Sequence, residues 1–552
     1  MSAAPPLDFE ERKERLFGKK GDAAGQEAKG PGRPSKAAQI IELVHEANAV
    51  LTHTVDREAF VTIVDEDKRR VTMAIASTEC KQWLSFLYWR KTTGAVGSEA
   101  IKSASDVLAA EAIFSGAQQN VFHRIAHVRR SGDLSVYVDL GAPDRRVVQI
   151  TKGGWELIES TAVPVLFRRP RAMTALAIPQ RDGSLAELRN ELFQNVPDGD
   201  WMMIVGFLVG IFQPEGVRAI LNLIGGQGSA KSTLGRIIVS LTDPCDVPLR
   251  AMPRDEQALV IAAMSRRLLG FDNASVIAPE MADAICRLAS GAGIGGRELY
   301  SDREEAFLKA IVAMLITSIE PMATTRPDFQ DRTLPVYLES FASLGLPRRT
   351  EREVEQILGD MKPRLLGALY DAVSCAIRNH GEVDQSDLPR LADFALWAEA
   401  AGPSQGWQPG EFTDVMDASR SAASVLAVES SVVASLIVKL MTLESSWRGT
   451  STDLLDELRG LATDEERKNR SFPQNPTRLS GQLRRLQPPL AEVGVWIGFN
   501  RDRRNRQIIL DRNDAKFGIK TEHQRPAPPR RPAQPFQEPL VPEPDADGRM
   551  EF

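Results

Sequence analysis

The chain has 552 residues, is 43% hydrophobic and 26% charged, and carries a formal net charge of −6. That length exceeds what one hydrophobic core serves and predicts roughly two to four domains of ordinary globular composition. The acidic balance excludes a chain that is basic throughout, so any nucleic-acid surface has to be local.

Four scattered cysteines, Cys80, Cys245, Cys286 and Cys375, form no CxxC pair, which excludes a zinc ribbon and a disulfide framework and fits a reducing cytosol. His123 and His127 lack the Glu that would follow His123 in a zinc-protease pattern, so they are expected in the core or on the surface. Neither a signal peptide nor an apolar run of about 18 residues is seen, so a cytoplasmic protein with no membrane partner is expected.

Residues 1–38 are rich in Ala, Gly, Pro and Lys and read as a disordered basic linker. Within them Gly32-Arg33-Pro34 resembles an AT-hook core. Residues 39–180 read as an α/β domain of unknown role, with a helix over 37–51 and a strand pair, Leu134–Leu140 and Arg146–Thr151, around a Gly-Ala-Pro-Asp turn. Asp139 has no second acid at metal-binding spacing and reads as a strand-edge residue. Residues 181–345 alternate helices with apolar strands, as a parallel-sheet α/β core does, and 346–429 are helical.

The strongest signal is an apolar strand, Arg218–Ile224, running into Gly225-Gly226-Gln227-Gly228-Ser229-Ala230-Lys231-Ser232-Thr233 and then a helix. A strand, a glycine-rich loop and a helix N-terminus in that order form a phosphate-binding loop, so ATP and Mg²⁺ are the expected cofactors. Lys231 is placed to reach the β- and γ-phosphates, and Ser232 to offer its hydroxyl to Mg²⁺. Ala230 stands where the usual pattern has glycine; it is expected to enter a right-handed helix, where a methyl group is tolerable.

About 40 residues on, Arg267–Phe271 is an apolar strand ending at Asp272, a carboxylate able to hold Mg²⁺ through water beside Ser232. Asn273 follows where many ATPases have a second acid. The general base therefore stays open among Asp272, Asn273 positioning water, Glu280 and Asp283. A third strand, Ile311–Ile316, ends at Thr317, and Arg326 and Arg332 follow as candidates for a transition-state arginine, Arg332 first.

The segments GGQGSAKST, LLGFDNAS, DAICRLASGAGIGGRELYSDREEAF, ITSIE and TRPDFQDR stand in the order seen in phage and prophage helicase-like ATPases. Over residues 180–345, and more weakly to 511, the chain resembles the helicase half of virus-type primase–helicases, related to superfamily 3 and the AAA+ class. The resemblance implies a multidomain α/β protein with an AAA+-like core, a homo-hexameric ring with ATP between subunits, and 3′-to-5′ movement on single-stranded or forked DNA. It implies that Thr317 is the first sensor, where relatives have Asn, and that Arg332, or else Arg326, acts on the neighbour's γ-phosphate. It also implies a pore hairpin over 297–308, with Arg297, Arg303 and Lys309 as phosphate contacts around an acidic tip, Ser301–Glu304. The N-terminal region lacks the acids of an archaeal–eukaryotic primase, so a separate primase is the expected partner.

Residues 430–511 read as three helices (Val432–Met441, Thr450–Ala462, Pro476–Leu486) and two strands, Val495–Phe499 and Gln507–Leu510, the layout of a winged helix. Arg478 and Arg485 on the third helix, and Arg501, Arg503, Arg504 and Arg506 at the strand connection, are the expected DNA contacts. Residues 512–552 read as a disordered Pro-rich tail. A DNA helicase or translocase in phage, prophage or plasmid replication is the leading reading. The alternatives are an ATPase that remodels DNA or protein without unwinding, and an ATP-gated DNA-binding regulator.

Overall fold

The computed structural model describes residues 34–517 apart from 275, 292–293, 298–304, 309–310, 321–325, 387, 470, 502–505 and 515–516. The linker up to residue 33 and the tail from 518 lie outside the described residues. The chain divides into two compact units after Asn120, inside the span 39–180 that the sequence presents as one region.

In the first unit, Ser35 accepts a hydrogen bond from the Ala38 amide and starts α1 (Lys36–Glu46), within the expected linker. The helix is shorter than 37–51 because Asn48 takes a left-handed conformation (φ 51°) and the chain becomes extended at Val50. Strands β1 (Val50–His53), β2 (Ala59–Val64), β3 (Arg70–Ala74) and β4 (Ala117–Gln118) form a sheet in the order β3-β2-β1-β4. Helices α2 (Thr78–Thr92) and α3 (Ser98–Phe114) share a core with it through Val61, Met73, Leu84 and Leu108.

The second unit opens with β5 (Val121–Phe122), followed by an antiparallel meander, β6 (Ile125–Arg130), β7 (Asp133–Asp139), β8 (Val147–Thr151) and β9 (Gly154–Ile158); β10 (Leu166–Phe167) pairs with β5. The expected strand pair is present as β7 and β8, with Val138 opposite Val148. Asp139 is buried and accepts from Nε and Nη2 on one edge of the Arg169 guanidinium at 2.8 and 2.6 Å, a bidentate structural ion pair. Arg124, fully buried, joins the meander to the following core: it pairs with Asp243 at 3.3 Å and donates to the carbonyls of Asp139, Thr174 and Pro244. His127 is buried too, and its Nε2 donates to the Phe212 carbonyl at 2.9 Å.

After α4 (Leu185–Leu192) and α5 (Asp198–Gly210) comes β11 (Ile220–Ile224), then α6 (Lys231–Thr242), α7 (Glu256–Ala263), β12 (Leu268–Phe271) and α8 (Pro279–Ser290). A hairpin of β13 (Ile294–Arg297) and β14 (Glu305–Leu308) follows, then β15 (Ala313–Ser318), α9 (Pro327–Gln330) and β16 (Thr333–Tyr337). The four strands of the central sheet run parallel in the order β12-β15-β11-β16. Alternate residues feed opposite faces, as strand geometry requires. Leu221, Leu223, Leu315 and Val336 pack with α5 and α6; Ile220, Phe271, Met314 and Ile316 pack with α7 and α8. The first core continues without a break into the meander and into α10 (Glu351–Asn379), α11 (Ala392–Ala401) and α12 (Glu411–Ser430). That shared core is why the meander belongs with the central sheet.

The C-terminal part has α13 (Val432–Leu443), β17 (Ser446–Gly449), α14 (Ser451–Leu461), α15 (Asp464–Lys468), α16 (Pro476–Glu492), β18 (Val495–Arg501) and β19 (Arg506–Arg512), with its own core. Thr450 and Asp453 form a capping box at α14. Helix α16 runs beyond Leu486, through Pro488 and Pro489. The two carbonyls that lose helix partners belong to Arg484 and Arg485, both exposed residues. Strand β17 adds an edge that the two-strand reading lacked, giving the antiparallel order β17-β19-β18. The protein is thus multidomain α/β, with a parallel sheet and helices.

Candidate functional site

Three strand ends meet at one edge of the central sheet. β11 lies between β15 and β16, and the chain leaves it through residues 225–230 into α6. In open parallel sheets, ligands bind beyond the carboxyl ends of the strands, where connections diverge to either side. β11 is buried along its whole length, so the loop is anchored at a fixed height. The Gly225 amide donates to the Ser318 carbonyl at 3.2 Å, and the Leu338 amide to the Ile224 carbonyl at 2.8 Å.

The loop is braced from inside. Ser229 Oγ donates to the Gly226 carbonyl at 2.9 Å. Asn195, buried in the α4–α5 connection, donates through Nδ2 to the carbonyls of Ser229 (3.0 Å) and Glu339 (2.7 Å). It ties the loop to the end of β16, and no sequence pattern points to it. Gly228 has φ 81°, and the Arg348 guanidinium lies so close that a Cβ there would stand 2.4 Å from Nη2. Ala230 has φ 60° and ψ 21°. This corrects the expected right-handed entry: Ala230 is a left-handed N-cap residue, the conformation that glycine takes without strain, at a cost of roughly 1–2 kcal/mol for an L residue.

Beside the loop, Ser232 Oγ donates to Asp272 Oδ1 at 2.8 Å, and Thr317 Oγ1 donates to the same oxygen at 2.6 Å. Thr317 in turn accepts from the Asn273 amide at 2.8 Å, and Asn273 has φ 53°. Ser232, Asp272, Asn273 and Thr317, spread over 86 positions of sequence, are therefore joined by short hydrogen bonds. Behind them, Ser318 Oγ donates to Asn222 Oδ1 at 3.1 Å, a buried polar pair inside the sheet. Lys231 Nζ stands 3.4 Å from the Gly226 carbonyl. Gly226, Gln227 and Thr233 complete the loop and first turn, and Thr233 Oγ1 is 3.4 Å from Arg236 Nη2.

A cavity of about 560 Å³ opens on the other side of the loop. Gly228, Ala230, Thr233 and Arg236 line it from the loop and α6; Phe193, Pro248, Phe341 and Leu346 give it an apolar wall, and Arg348 and Arg349 stand at it together with Glu191, Glu351 and Glu355, a rim of both charges. Its size is that of a small-molecule site. Arg236 also pairs with Glu351 at the start of α10.

The other candidates are dispersed. Asp283 pairs with Arg326 at 2.7 Å, and Glu280 is exposed in the first turn of α8. Glu320, overlooked in the sequence, is an exposed carboxylate two residues past β15. Arg332 is paired with Asp328, and its carbonyl accepts from Ile220 at the start of β11. It therefore sits about 16 Å, five strand residues, from the loop of its own chain. Arg478 and Arg485 are exposed on α16. Arg297 lies in β13 opposite Glu305, and Arg501 opposite Arg506 at the end of the β18–β19 ladder. Arg303, Arg503, Arg504, Lys309 and the expected hairpin tip lie outside the described residues. His123 and His127 are core residues, and burial pushes both imidazoles down to about 3. The cysteines are free and buried, and no cluster of three or more metal-ligating His, Cys, Asp or Glu occurs among the described residues. Among them, no helix is long and apolar enough to cross a membrane.

Residues 193–407 match the family described as actinomycete integrative conjugative element replication protein, and residues 433–527 match the one described as the AICE RepA C-terminal domain. The first takes in the loop, the hydroxyl–carboxylate cluster and all of the cavity lining but Glu191 and Leu192; the second takes in the C-terminal helices and sheet. Among solved structures, the A-form apo structure of the NrS-1 C-terminal region is 9% identical, with 87% of this chain and 100% of that chain covered and a TM-score of 0.38. An apo structure of the same region has the same identity and coverage and a TM-score of 0.35. No curated protein matches the chain. The family matches support a role in DNA replication.

Proposed function

We propose that the chain is an ATP-dependent DNA helicase or translocase that works in the replication of a mobile genetic element. The observation that carries this reading is the convergence of Ser232 and Thr317 on Asp272 beside a glycine-rich loop at a helix N-terminus. Backbone amides of residues 226–231 and the positive end of α6 suit a triphosphate, and Lys231 adds a mobile cation. The base and ribose have room in the adjacent cavity, against Phe193 and Phe341.

The Ser232 hydroxyl and the Asp272 carboxylate are hard oxygen donors, and two such ligands suit Mg²⁺, which keeps several waters of its own. When bound, Mg²⁺ neutralises charge on the β- and γ-phosphate oxygens. Thr317 fixes the rotamer of Asp272, and the left-handed Asn273 turns the chain so that its amide reaches Thr317. In hydrolysis, a water oxygen bonds to the γ-phosphorus while the bond to the β–γ bridging oxygen breaks, giving ADP and phosphate. Asp283 is paired with Arg326; the groups open to take or orient the water's proton are Asp272, Asn273 positioning water, Glu280 and Asp283, with Glu320 added by its place just past β15. Arg332, at the far end of β11 and β16, serves only a γ-phosphate on a neighbouring subunit, which calls for a ring, read as a homo-hexamer. The C-terminal part acts as a winged-helix-like DNA-binding domain, with Arg478 and Arg485 as phosphate contacts.

The test is steady-state ATP hydrolysis with and without single-stranded DNA at low salt, for the native chain and Lys231→Ala. Stimulation by DNA that vanishes in the variant supports a DNA-coupled motor. Hydrolysis indifferent to DNA favours the remodelling ATPase, and DNA binding that survives Lys231→Ala without any native turnover favours the regulator.

A further inference from the structure

The three strands β17, β19 and β18 bury one face and leave the other open. Trp447, Leu510 and Ile497 lie in one row across the sheet and point into the C-terminal core. The adjacent row, Arg448, Ile509 and Gly498, points outward. Trp496, also on this outer face, is 51% exposed although a tryptophan is the largest apolar side chain available. A Cβ on Gly498 would stand 2.4 and 2.5 Å from Trp496 ring atoms, so the far edge of the indole rests over Gly498, where any larger residue would displace it. The indole is thereby braced against the sheet while half of the residue's surface meets water.

No ring or cation is stacked on Trp496 among the described residues, in contrast to Phe499 on the opposite side, where the Arg484 guanidinium sits 5.5 Å from the ring centre. Across the sheet, Arg448 is exposed and makes no ion pair among the described residues, at about 10 Å from Gly498 by two strand spacings. That is the scale of one nucleotide, base to phosphate.

Charge selects the occupant. Residues 470–506 hold eight arginines and no lysine against two acids, in a chain whose net charge is −6. An apolar protein surface gains nothing from so basic a segment, whereas a polyanion with flat apolar faces matches it. A supported, half-exposed indole is what stacking of an unpaired base requires, with Asp511 its cross-strand neighbour and Arg448 the cation of the same face; a base inside a duplex has both faces occupied.

We propose that Trp496 is a stacking platform for an unpaired nucleobase of single-stranded DNA, with Arg448 holding the flanking phosphate. This rests on the reading of the C-terminal part as a DNA-binding domain, and adds to it a preference for the single strand. The test compares the full-length native chain with Trp496→Ala, Trp496→Phe and the double variant Arg484→Ala/Arg485→Ala. Each is titrated with labelled oligothymidylate and with labelled duplex of equal length, followed by anisotropy. Trp496→Ala should bind the single strand about 5- to 150-fold more weakly, the effect of losing one stacked base, and leave duplex binding within about twofold. Trp496→Phe should recover most of the loss, and the arginine double variant should weaken both substrates. Unchanged single-strand binding by Trp496→Ala, with both substrates weakened in the arginine variant, overturns the platform alone. Equal losses on both substrates for Trp496→Ala also overturn it. No effect of any variant on either substrate overturns the domain reading as well.

Discussion

The loop after β11 and the outer face of β17-β19-β18 are built on opposite plans. Around the loop, nearly every polar group already has a protein partner: Ser229 with Gly226, Ser232 and Thr317 with Asp272, Asn195 with two carbonyls. On the C-terminal face the informative groups, Trp496 and Arg448, are exposed. The first site is preorganised, so its substitutions should act on turnover and on folding. The second is a surface, so its substitutions should act on binding alone.

The largest expected effect tests that contrast at its centre. Asp272→Ala removes the shared acceptor of two hydroxyls and should lower ATP turnover at least about 100-fold. Circular dichroism should show the fold kept. An equally sized loss for Arg448→Ala would erase the distinction between the two regions. Next, Asn195→Ala leaves the Ser229 and Glu339 carbonyls without their donor and should cost about 1–3 kcal/mol of stability, read by denaturant unfolding, together with weaker nucleotide binding. Unaltered stability would mean that water replaces the carboxamide and the bracing is not needed.

A third test uses pH. His123 and His127 are held neutral by burial, at about 3 against the ordinary imidazole value of 6.5. Because the folded values are depressed, the unfolded chain binds more protons between them. The stability they contribute is complete above 6.5 and is lost as pH falls toward 3. At pH 5 each should cost about 2 kcal/mol. His127→Gln can still donate to the Phe212 carbonyl, so it should flatten the fall in melting temperature between pH 7 and pH 5; an identical slope would remove His127 from the account. The smallest effect is Ala230→Gly. It relieves left-handed strain but frees the unfolded chain, for a net gain of up to about 1 kcal/mol. A loss of stability would contradict the φ assigned to Ala230.

Features that depend on local order were legible in the sequence. The strand–loop–helix at 218–242, Asp272 at a strand end, Thr317 on the next strand and the helices of 432–492 all read from periodicity and position. Features that depend on strands meeting across long separations were not. Thr317 as the hydroxyl that orients Asp272 emerges only once β12 and β15 lie side by side. Asn195 carries no motif, and its role comes from the approach of the α4–α5 connection to the loop. The backbone at Ala230 was misread because loop φ angles are set by the strand and helix they join, not by the residue's own preference. Strand β17 was missed because four residues flanked by helices show too little alternation, and its pairing with β19 is what leaves Arg448 on the outer face.

The most direct test of the central claim is strand displacement from a forked duplex by the full chain with ATP and Mg²⁺, beside Lys231→Ala and a non-hydrolysable ATP analogue. The account predicts displacement that needs hydrolysis and is absent in both controls. Robust DNA-stimulated hydrolysis with no displacement would narrow the reading to a translocase that does not unwind, whereas displacement that persists in Lys231→Ala would contradict an ATP-driven motor.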